Sequence, residues 1–202
     1  MLKTPAPQRG FNLIEILVTL TVLGVLIALG APSLAEFLQN QQIRAATEAV
    51  VNGMQVARGE AIRRNVPVQL VIEPASSGLS SGWTICEATV EPCDSTTFTT
   101  DATLVIQGRS PEEGTGNARI TPVAADLVTT AVAVTFSPLG SVVANFNASP
   151  TLARADVFSV RDACIADSGP MRCLRVVVTG GGSIRMCDPT PGIVMPDPRA
   201  CP

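Results

Sequence analysis

The sequence contains no histidine, no tyrosine and only one lysine, Lys3, among its 202 residues. Histidine is the commonest general base and the commonest metal ligand in proteins, so its absence excludes a Ser–His–Asp triad and argues against a histidine-ligated metal. The carboxylates are scattered along the chain, and no two of them stand out as an acid–base pair. We therefore predict that the chain is not an enzyme, and we expect no catalytic residue, no metal and no cofactor.

Positive charge is scarce as well. The 14 Lys and Arg residues are outnumbered by 17 Asp and Glu residues, and the pI is about 5.0. A general nucleic-acid binder carries a basic surface, so this composition argues against one. The six cysteines include no Cys-x-x-Cys pair, which argues against zinc and against a thioredoxin-like site. An even number of cysteines behind an export-like N-terminus indicates disulfides in an oxidising compartment.

One long apolar run lies near the N-terminus. It extends from Phe11 to Ala31, and as a helix it would be about 31 Å long, close to the thickness of the hydrocarbon core of a bilayer. Lys3 and Arg9 precede it, and positive charge at that end keeps it cytoplasmic. The run contains one carboxylate, Glu15. A charge inside a spanning helix costs about 2.5–3.5 kcal/mol on insertion scales, which indicates a functional role.

Three simpler interpretations of this run stay open at this point. A cleaved secretory signal could end near Ser33–Ala35, although the helical pattern continues through these residues. A plain signal anchor could hold Glu15 at the headgroup level close to Arg9. A buried core helix is the third interpretation, which the length and apolarity of the run disfavour.

The stretch "RGFNLIEILVTLTVLGVLIALGAP" resembles a class III, type IV prepilin signal. The resemblance implies that a prepilin peptidase cuts after Gly10 and methylates the new amino group of Phe11. It also implies that Glu15, at the fifth mature position, pairs with the N-terminal amine of a neighbouring subunit as a filament grows. Opposite charges attract strongly in the low dielectric of lipid, so an unpaired Glu15 favours insertion into a filament. Asn12 departs from the pattern, because Thr or Ser is commoner there.

The helical pattern continues from Pro32 to Asn65. Because the periodicity resumes at once, we expect Pro32 to kink the helix rather than end it. Mostly small residues recur at three- and four-residue spacing, so this amphipathic segment should pack closely on a sheet. Gly59, which costs about 1 kcal/mol against alanine, indicates either a close contact or mild fraying. The small residues of this face are Ala46, Ala49, Val50, Gly53, Ala57 and Ala61.

Residues 46–72 resemble the FimT/FimU and type II secretion H-type (GspH/FimT) pseudopilins, in which this helix docks on a β domain. Gly59 departs from that family, which usually has Ser or Thr there. The "FSPLG" turn at Phe136–Gly140 and the late hairpin at Arg175–Cys187 are also family features. Together with strand patterns from Val66 onward, they predict an α+β fold: a long N-terminal helix packed on an antiparallel β-sheet domain. Gly140 is expected to take a positive φ.

The predicted organisation has four parts. Residues 1–10 are a leader peptide, 11–31 a transmembrane helix that becomes the filament core, 32–65 its amphipathic continuation, and 66–202 a periplasmic β-rich domain with disulfides. We expect a single-pass protein of the bacterial inner membrane that later enters a pilus or pseudopilus. The proline-rich end, residues 188–202, is expected to form an extended lid.

Six cysteines allow 15 pairings, and the sequence does not choose among them. The short spacings favour sequential pairs, of which the last would hold down the tail by closing a loop worth about 3 kcal/mol. A rival pairs Cys173 with Cys187 across the hairpin, which a turn centred on Gly181 would miss by about two residues. The sequential pairs are Cys86–Cys93, Cys164–Cys173 and Cys187–Cys201.

The final hairpin also indicates an alternative function, which is DNA binding. Some FimT-type pilins of naturally transformable bacteria have a Gly-Arg-x-Arg motif there and bind DNA. The matching residues here are Gly182–Arg185, in which Ser183 replaces the first arginine while Arg185 is kept. Arg172 and Arg175 lie near in sequence and could add charge. Losing one of two phosphate-contacting arginines weakens binding, so DNA is an unfavoured partner.

The sequence therefore predicts a minor pilin or pseudopilin that takes part in filament assembly or priming at the tip of a type IV pilus or a type II secretion pseudopilus. The implied partners are other minor pilins or pseudopilins, the major pilin, the prepilin peptidase, the inner-membrane assembly platform, and membrane lipid before assembly. A DNA-uptake pilin and a membrane-anchored periplasmic enzyme are the alternatives.

Overall fold

The structure is a computed structural model that describes residues 12–75, 78–88, 105–110, 113, 115–146 and 148–202. One long helix, α1 (Leu13–Arg64), comes first. It is followed in the described part by β1 (Val68–Ala75), β2 (Gly78–Glu87), β3 (Val105–Arg109), β4 (Ala118–Val123), β5 (Ala133–Phe136), β6 (Val142–Val143), β7 (Arg154–Ser159), a short 3₁₀ helix (Ile165–Asp167), β8 (Leu174–Val178) and β9 (Ile184–Cys187). The chain divides into two compact units, Met1–Phe37 and Leu38–Pro202.

In the first unit, the described side chains of α1 are mostly apolar, and they are exposed on every face. The few hydroxyls among them satisfy themselves within the helix, because each donates to the carbonyl three residues earlier. Thr19 bonds to Ile16 in this way, Thr21 to Val18 and Ser33 to Gly30. The helix is long and apolar enough to cross a membrane by length and composition. It also continues through Pro32, as expected, and the kink at that residue stays a prediction.

In the second unit, α1 has one buried face and one exposed face. The buried positions follow the three- and four-residue spacing that the sequence predicts, although Ala49 is only half-buried. Small side chains on this face bring the helix backbone close to the sheets. The fully buried residues of the face are Ile43, Ala46, Thr47, Val50, Met54, Ala57 and Ala61.

The closest approach of α1 to a sheet occurs at Gly53. A Cβ atom there would lie 2.9 Å from Cε2 of Trp83 and 3.1 Å from Cδ1 of Leu70, so only glycine fits without a shift. The close contact expected of Gly59 is not formed, whereas mild fraying at this residue stays a prediction. It is exposed, no described atom lies within 4 Å of its Cβ position, and the helix continues to Arg64.

Two antiparallel sheets complete the second unit. The strand orders are β3-β2-β1-β5-β6 and β4-β7-β8-β9, which places β1 and β7–β8 inside their sheets. Both sheets supply buried side chains to one core with α1, including Leu70 and Ile85 from the first and Val157 and Val176 from the second. The predicted α+β class is confirmed, because a long N-terminal helix packs on antiparallel sheets.

The end of α1 is joined to β2 by a chain of ion pairs. Glu60 accepts hydrogen bonds from Arg63 and from Arg64, whose Nε lies 2.7 Å from Glu60 Oε2. The other side of the Arg64 guanidinium reaches Glu87 of β2, with Nη1 and Oε1 2.6 Å apart. The hydrogen bonds from Arg63 and then Arg64 lower the pKa of Glu60 to about 2. The helix ends at Arg64, and the next residue, Asn65, takes a left-handed conformation with φ 56°.

Two turns and the helix meet at a second junction. Gly140, in the turn between β5 and β6, has the expected positive φ of 76°, and Gly182, between β8 and β9, has a φ of 77°. Arg58 Nε donates to the Gly140 carbonyl at 2.9 Å. A Cβ atom on Gly182 would lie 1.9 Å from that same oxygen, so this position requires glycine for both space and conformation.

Disulfides join Cys164 to Cys173 and Cys187 to Cys201, as the sequential pairing predicts. Cys86 is also disulfide-bonded, and its expected partner Cys93 lies outside the described residues. The rival pairing fails because Cys187 lies opposite Arg175 in the β8–β9 register, two residues from Cys173.

The tail forms successive turns rather than the expected extended lid. Backbone bonds from Ile193 to Thr190 and from Asp197 to Val194 close two of them.

Two glycine substitutions within α1 test the close contact. We expect Gly53→Ala to lower the free energy of unfolding, because overpacking costs about 1–3 kcal/mol and outweighs a helix-propensity gain of about 1 kcal/mol. Gly59→Ala should raise it by about 1 kcal/mol, since nothing described opposes the new methyl group. Denaturant unfolding of the full chain in detergent, followed by the fluorescence of the single tryptophan, gives both values. Equal stabilisation by the two variants would contradict the Gly53 contact.

The dependence of protein stability on pH in acid tests the ion pairs that Glu60 forms with Arg63 and Arg64. A carboxylate with a lowered pKa stabilises the fold above its unfolded pKa, and this contribution is lost as the pH falls toward the folded value. For Glu60 the window runs from 4.5 down to about 2. We expect the melting-temperature gap between wild type and Glu60→Gln to be constant above pH 4.5 and to narrow below it. Glu48→Gln, which breaks only the exposed pair with Arg44, is the control and should leave a small gap throughout. A Glu60→Gln gap that stays unchanged down to pH 2 would count against the junction.

Candidate functional site

The predicted assembly residues lie at the start of α1. Gly10 and Phe11 fall outside the described residues, whereas Glu15 lies in the first turn of the helix. Its backbone N–H donates to the Asn12 carbonyl at 3.0 Å, so the helix geometry holds the residue in place. Its side chain is exposed, and no basic group of the described part of the chain forms an ion pair with it. A cation that pairs with this carboxylate would have to come from outside the described residues.

The side chains around Glu15 are apolar, so a positively charged partner would stabilise the carboxylate. Its neighbours Ile14, Ile16 and Leu17 are large, apolar and exposed, and exposed large apolar side chains recur along the rest of the first unit. A carboxylate among such side chains is expensive once they enter lipid, unless a positive charge offsets it. Between residues 13 and 35, Glu15 is the one charged residue of an otherwise largely apolar stretch of α1.

The hairpin arginines, by contrast, do not converge. Arg175 on β8 faces Asp156 on β7, with Nε and Oδ1 2.5 Å apart, and Arg154 binds the other oxygen of the same carboxylate at 2.8 Å. All three side chains are about three-quarters buried. The charge of Arg175 is therefore held by Asp156 rather than presented to a ligand.

Arg172 and Arg185 do not lie next to each other either. Arg185 is exposed on β9 opposite Val177, on the same sheet face as Arg175. Arg172 precedes β8, and its backbone N–H donates to Asn40 Oδ1 of α1 at 2.8 Å, so it belongs to the helix side of the unit. A row of phosphate-binding arginines is not formed, and the DNA alternative is not favoured.

The structure instead brings Arg172 together with two arginines that sequence reasoning missed. Arg44 of α1 and Arg199 of the tail line the same groove as Arg172. More than 120 residues separate Arg44 from Arg172, so no spacing in the sequence could have indicated the cluster. Among the residues that the structure describes, no group of three or more His, Cys, Asp or Glu side chains could hold a metal ion.

An exposed apolar N-terminal helix whose second half packs on antiparallel sheets is the architecture of a pilin-like subunit. The family profile described as "Type II transport protein GspH" matches residues 46–182, and the "Prokaryotic N-terminal methylation motif" matches residues 5–31. The chain therefore belongs to the GspH family of minor pilins and pseudopilins, which is a structural family and not an enzyme family. The family assembles into filaments, and the motif implies cleavage of a leader and membrane anchoring with the C-terminal domain outside.

Solved structures resemble the chain at low identity. The type IV minor pilin FimU of Pseudomonas aeruginosa is 14% identical in a P21 crystal form, covering 74% of this chain and 91% of its own, with a TM-score of 0.44. The minor pseudopilin EpsH from the type 2 secretion system of Vibrio cholerae is 11% identical, covering 73% of this chain and 98% of its own, with a TM-score of 0.45. No curated protein sequence matches the chain.

Proposed function

We propose that the chain is cut after Gly10, is methylated on Phe11, and then enters the tip of a filament through α1. The observation that carries the proposal is Glu15, an exposed carboxylate on an apolar helix with no ion-pair partner among the described residues. A processed chain would present a free amine at Phe11, four residues before that carboxylate. Each subunit would thus hold one positive and one negative group close to its N-terminus.

Entry into the filament is favoured because the lipid around the helix has a low dielectric constant. In lipid, an isolated carboxylate is destabilised, while two opposite charges attract strongly because the dielectric is low. A waiting subunit lowers its free energy when Glu15 meets the amine of an adjoining subunit. The same step buries the apolar side chains of the first unit against those of its neighbours. The charge pair would set the register, and the apolar faces would supply packing.

The second unit would then lie outside the inner membrane, in the periplasm. Its disulfides suit an oxidising compartment. The expected partners are other minor pilins or pseudopilins and the major pilin, with the prepilin peptidase and the inner-membrane assembly platform acting earlier. Priming at the tip of a type IV pilus or of a type II secretion pseudopilus accounts equally well for these features.

Substitutions at Glu15 test the charge directly. We expect both Glu15→Ala and Glu15→Gln to lose the leader normally but to fall at least about tenfold in the sheared filament fraction, since a charge in a spanning helix is worth about 2.5–3.5 kcal/mol. Glu36→Gln removes an exposed carboxylate farther along the same helix and serves as the control. Immunoblots of membrane and filament fractions give the ratio. Wild-type incorporation of Glu15→Gln would overturn the pairing.

A further inference from the structure

A cleft of about 440 Å³ in the second unit has α1 on one side and the strand β3 on the other. We call it the α1–β3 cleft. Its α1 side is a stripe at helical spacing from Ala45 to Asn52, and its β3 side runs from Gln107 to Arg109. Trp83 of β2 lines it as well. Ligand sites in proteins commonly have volumes of about 300–1,000 Å³, so this cleft is large enough for a ligand.

Two buried donors at the cleft have no acceptor. The indole N–H of Trp83, a residue that is 2% exposed, and Nη1 of Arg109 are buried and lack a hydrogen-bond partner in the part of the chain that the structure describes. Arg109 uses its other terminal nitrogen, Nη2, to donate to the Glu113 carbonyl at 2.6 Å. Native structures rarely leave buried donors unpaired, so these two groups indicate that an acceptor enters from the cleft.

The charges around the cleft balance. Glu48 and Glu113 line it as exposed carboxylates, and Arg109 is the one arginine among its described lining residues. Arg44 lies outside the lining but pairs with Glu48 at 2.8 Å, so two arginines offset two carboxylates. The cleft therefore favours neither an anion nor a cation, and an uncharged ligand fits it best.

The ligand must also be polar. Apart from Trp83, the apolar side chains of the lining are only Ala45 and Ala49. The Trp83 ring is buried against α1 and offers no face on which a sugar could stack. The amides of Asn52 and Gln107 are exposed and form no hydrogen bond with another described residue. A ligand that both accepts and donates hydrogen bonds, as a peptide group does, matches this lining.

The β3 side of the cleft belongs to an edge strand. β3 pairs with β2 and with no other strand of the described residues. Successive side chains of a strand point to opposite faces, yet Gln107, Gly108 and Arg109 all line the cleft, so it runs along the backbone of the strand. The outer edge of such a strand presents N–H and C=O groups that can pair with an added strand.

The length of the cleft fits a short stretch of extended chain. Ala45 and Asn52 are seven residues apart, or about 10 Å along a helix. An extended chain rises about 3.3 Å per residue, so about three residues fit beside α1. The lining is small at Ala45, Ala49 and Gly108, which lets another backbone approach closely.

We propose that the α1–β3 cleft binds an extended, uncharged peptide segment of a neighbouring filament subunit, which adds a strand to β3. Arg109 donates to a peptide carbonyl, and the indole N–H of Trp83 is the second donor. The amides of Asn52 and Gln107 bond to the remaining peptide groups. Main-chain hydrogen bonds supply the affinity in this mode of recognition. The inference rests on the proposed function only for the source of the segment, because a subunit in a filament lies against other subunits.

The binding test uses the full isotope-labelled chain in detergent and a blocked peptide, acetyl-Thr-Val-Thr-Val-Thr-amide, which is uncharged and favours the extended conformation. Trp83 is the single tryptophan, so its indole N–H gives one NMR signal that needs no assignment. We expect this signal to shift downfield and to saturate with peptide in the millimolar range, because the proton gains an acceptor. Hydrogen exchange at the amides of residues 107–109 should slow.

Matched controls separate strand pairing from other contacts. The same peptide with its central residues N-methylated cannot pair and should give no saturable shift. Ala45→Leu fills the cleft and should abolish the shift, whereas Gln55→Leu places the same side chain at an exposed position of α1 outside the lining and should leave it intact. Arg109→Gln should weaken binding about tenfold, the effect of one hydrogen bond to a charged group.

The source of the segment is tested in the native host. Ala45→Leu should lower the amount of the chain in sheared filaments relative to Gln55→Leu, while both variants lose the leader normally. Equal incorporation of the two variants would contradict a neighbouring subunit as the source.

Each contrary outcome of the binding test has a distinct meaning. An equal shift with the N-methylated peptide, or in Ala45→Leu, would place the contact outside the cleft and overturn the proposal. The absence of any shift would assign the two donors to trapped water and overturn it as well. An equal shift with maltose would make the ligand a polyol rather than a peptide. None of these outcomes depends on Gly10 or Glu15, so peptide binding and the proposed function can fail separately.

Discussion

The constraint on which the rest depends is that one helix must satisfy two different surroundings. Before Leu38, α1 exposes apolar side chains on every face, and its hydroxyls bond back to its own carbonyls. After Leu38, only one face is buried, and there the side chains are small enough for Gly53 to contact Trp83. Water alone stabilises only the second part, and lipid alone only the first. A chain built in this way is stable at a boundary between the two, or in a filament that replaces the lipid with like helices.

The far end of α1 is fixed more firmly than helix packing alone requires. Glu60 and Arg64 connect the last turn to Glu87 of β2, and Arg58 binds the turn at Gly140. These contacts involve both sheets, because the Gly182 turn of the second sheet packs against the same carbonyl. The last turns of α1 are therefore fixed to both sheets within the second unit.

The sequence predicted features whose cause is local, and it missed those whose cause is not. Period-two runs located the strands, and the spacing of Ala46, Val50 and Ala57 located the buried helix face, because each signal lies within one element. The disulfide Cys164–Cys173 followed from a short loop. The partner of Arg175 could not be foreseen, since Asp156 reaches it only through strand pairing.

Residues from distant segments explain the other errors as well. The groove around Arg172 combines α1, β8 and the tail, so no window of sequence contains it. A close contact was expected at Gly59 because glycine is unfavourable within a helix. The glycine of α1 that makes such a contact is Gly53, which lies against a tryptophan 30 residues away.

The most direct test of the account is the intact mass of the protein purified from the membranes and filaments of its native host. The account predicts a chain that begins at Phe11, lacks the preceding leader and carries one added methyl group on its N-terminal amine. A chain that still carries Lys3 and Arg9, or that begins after the apolar segment near Ser33–Ala35, would contradict it.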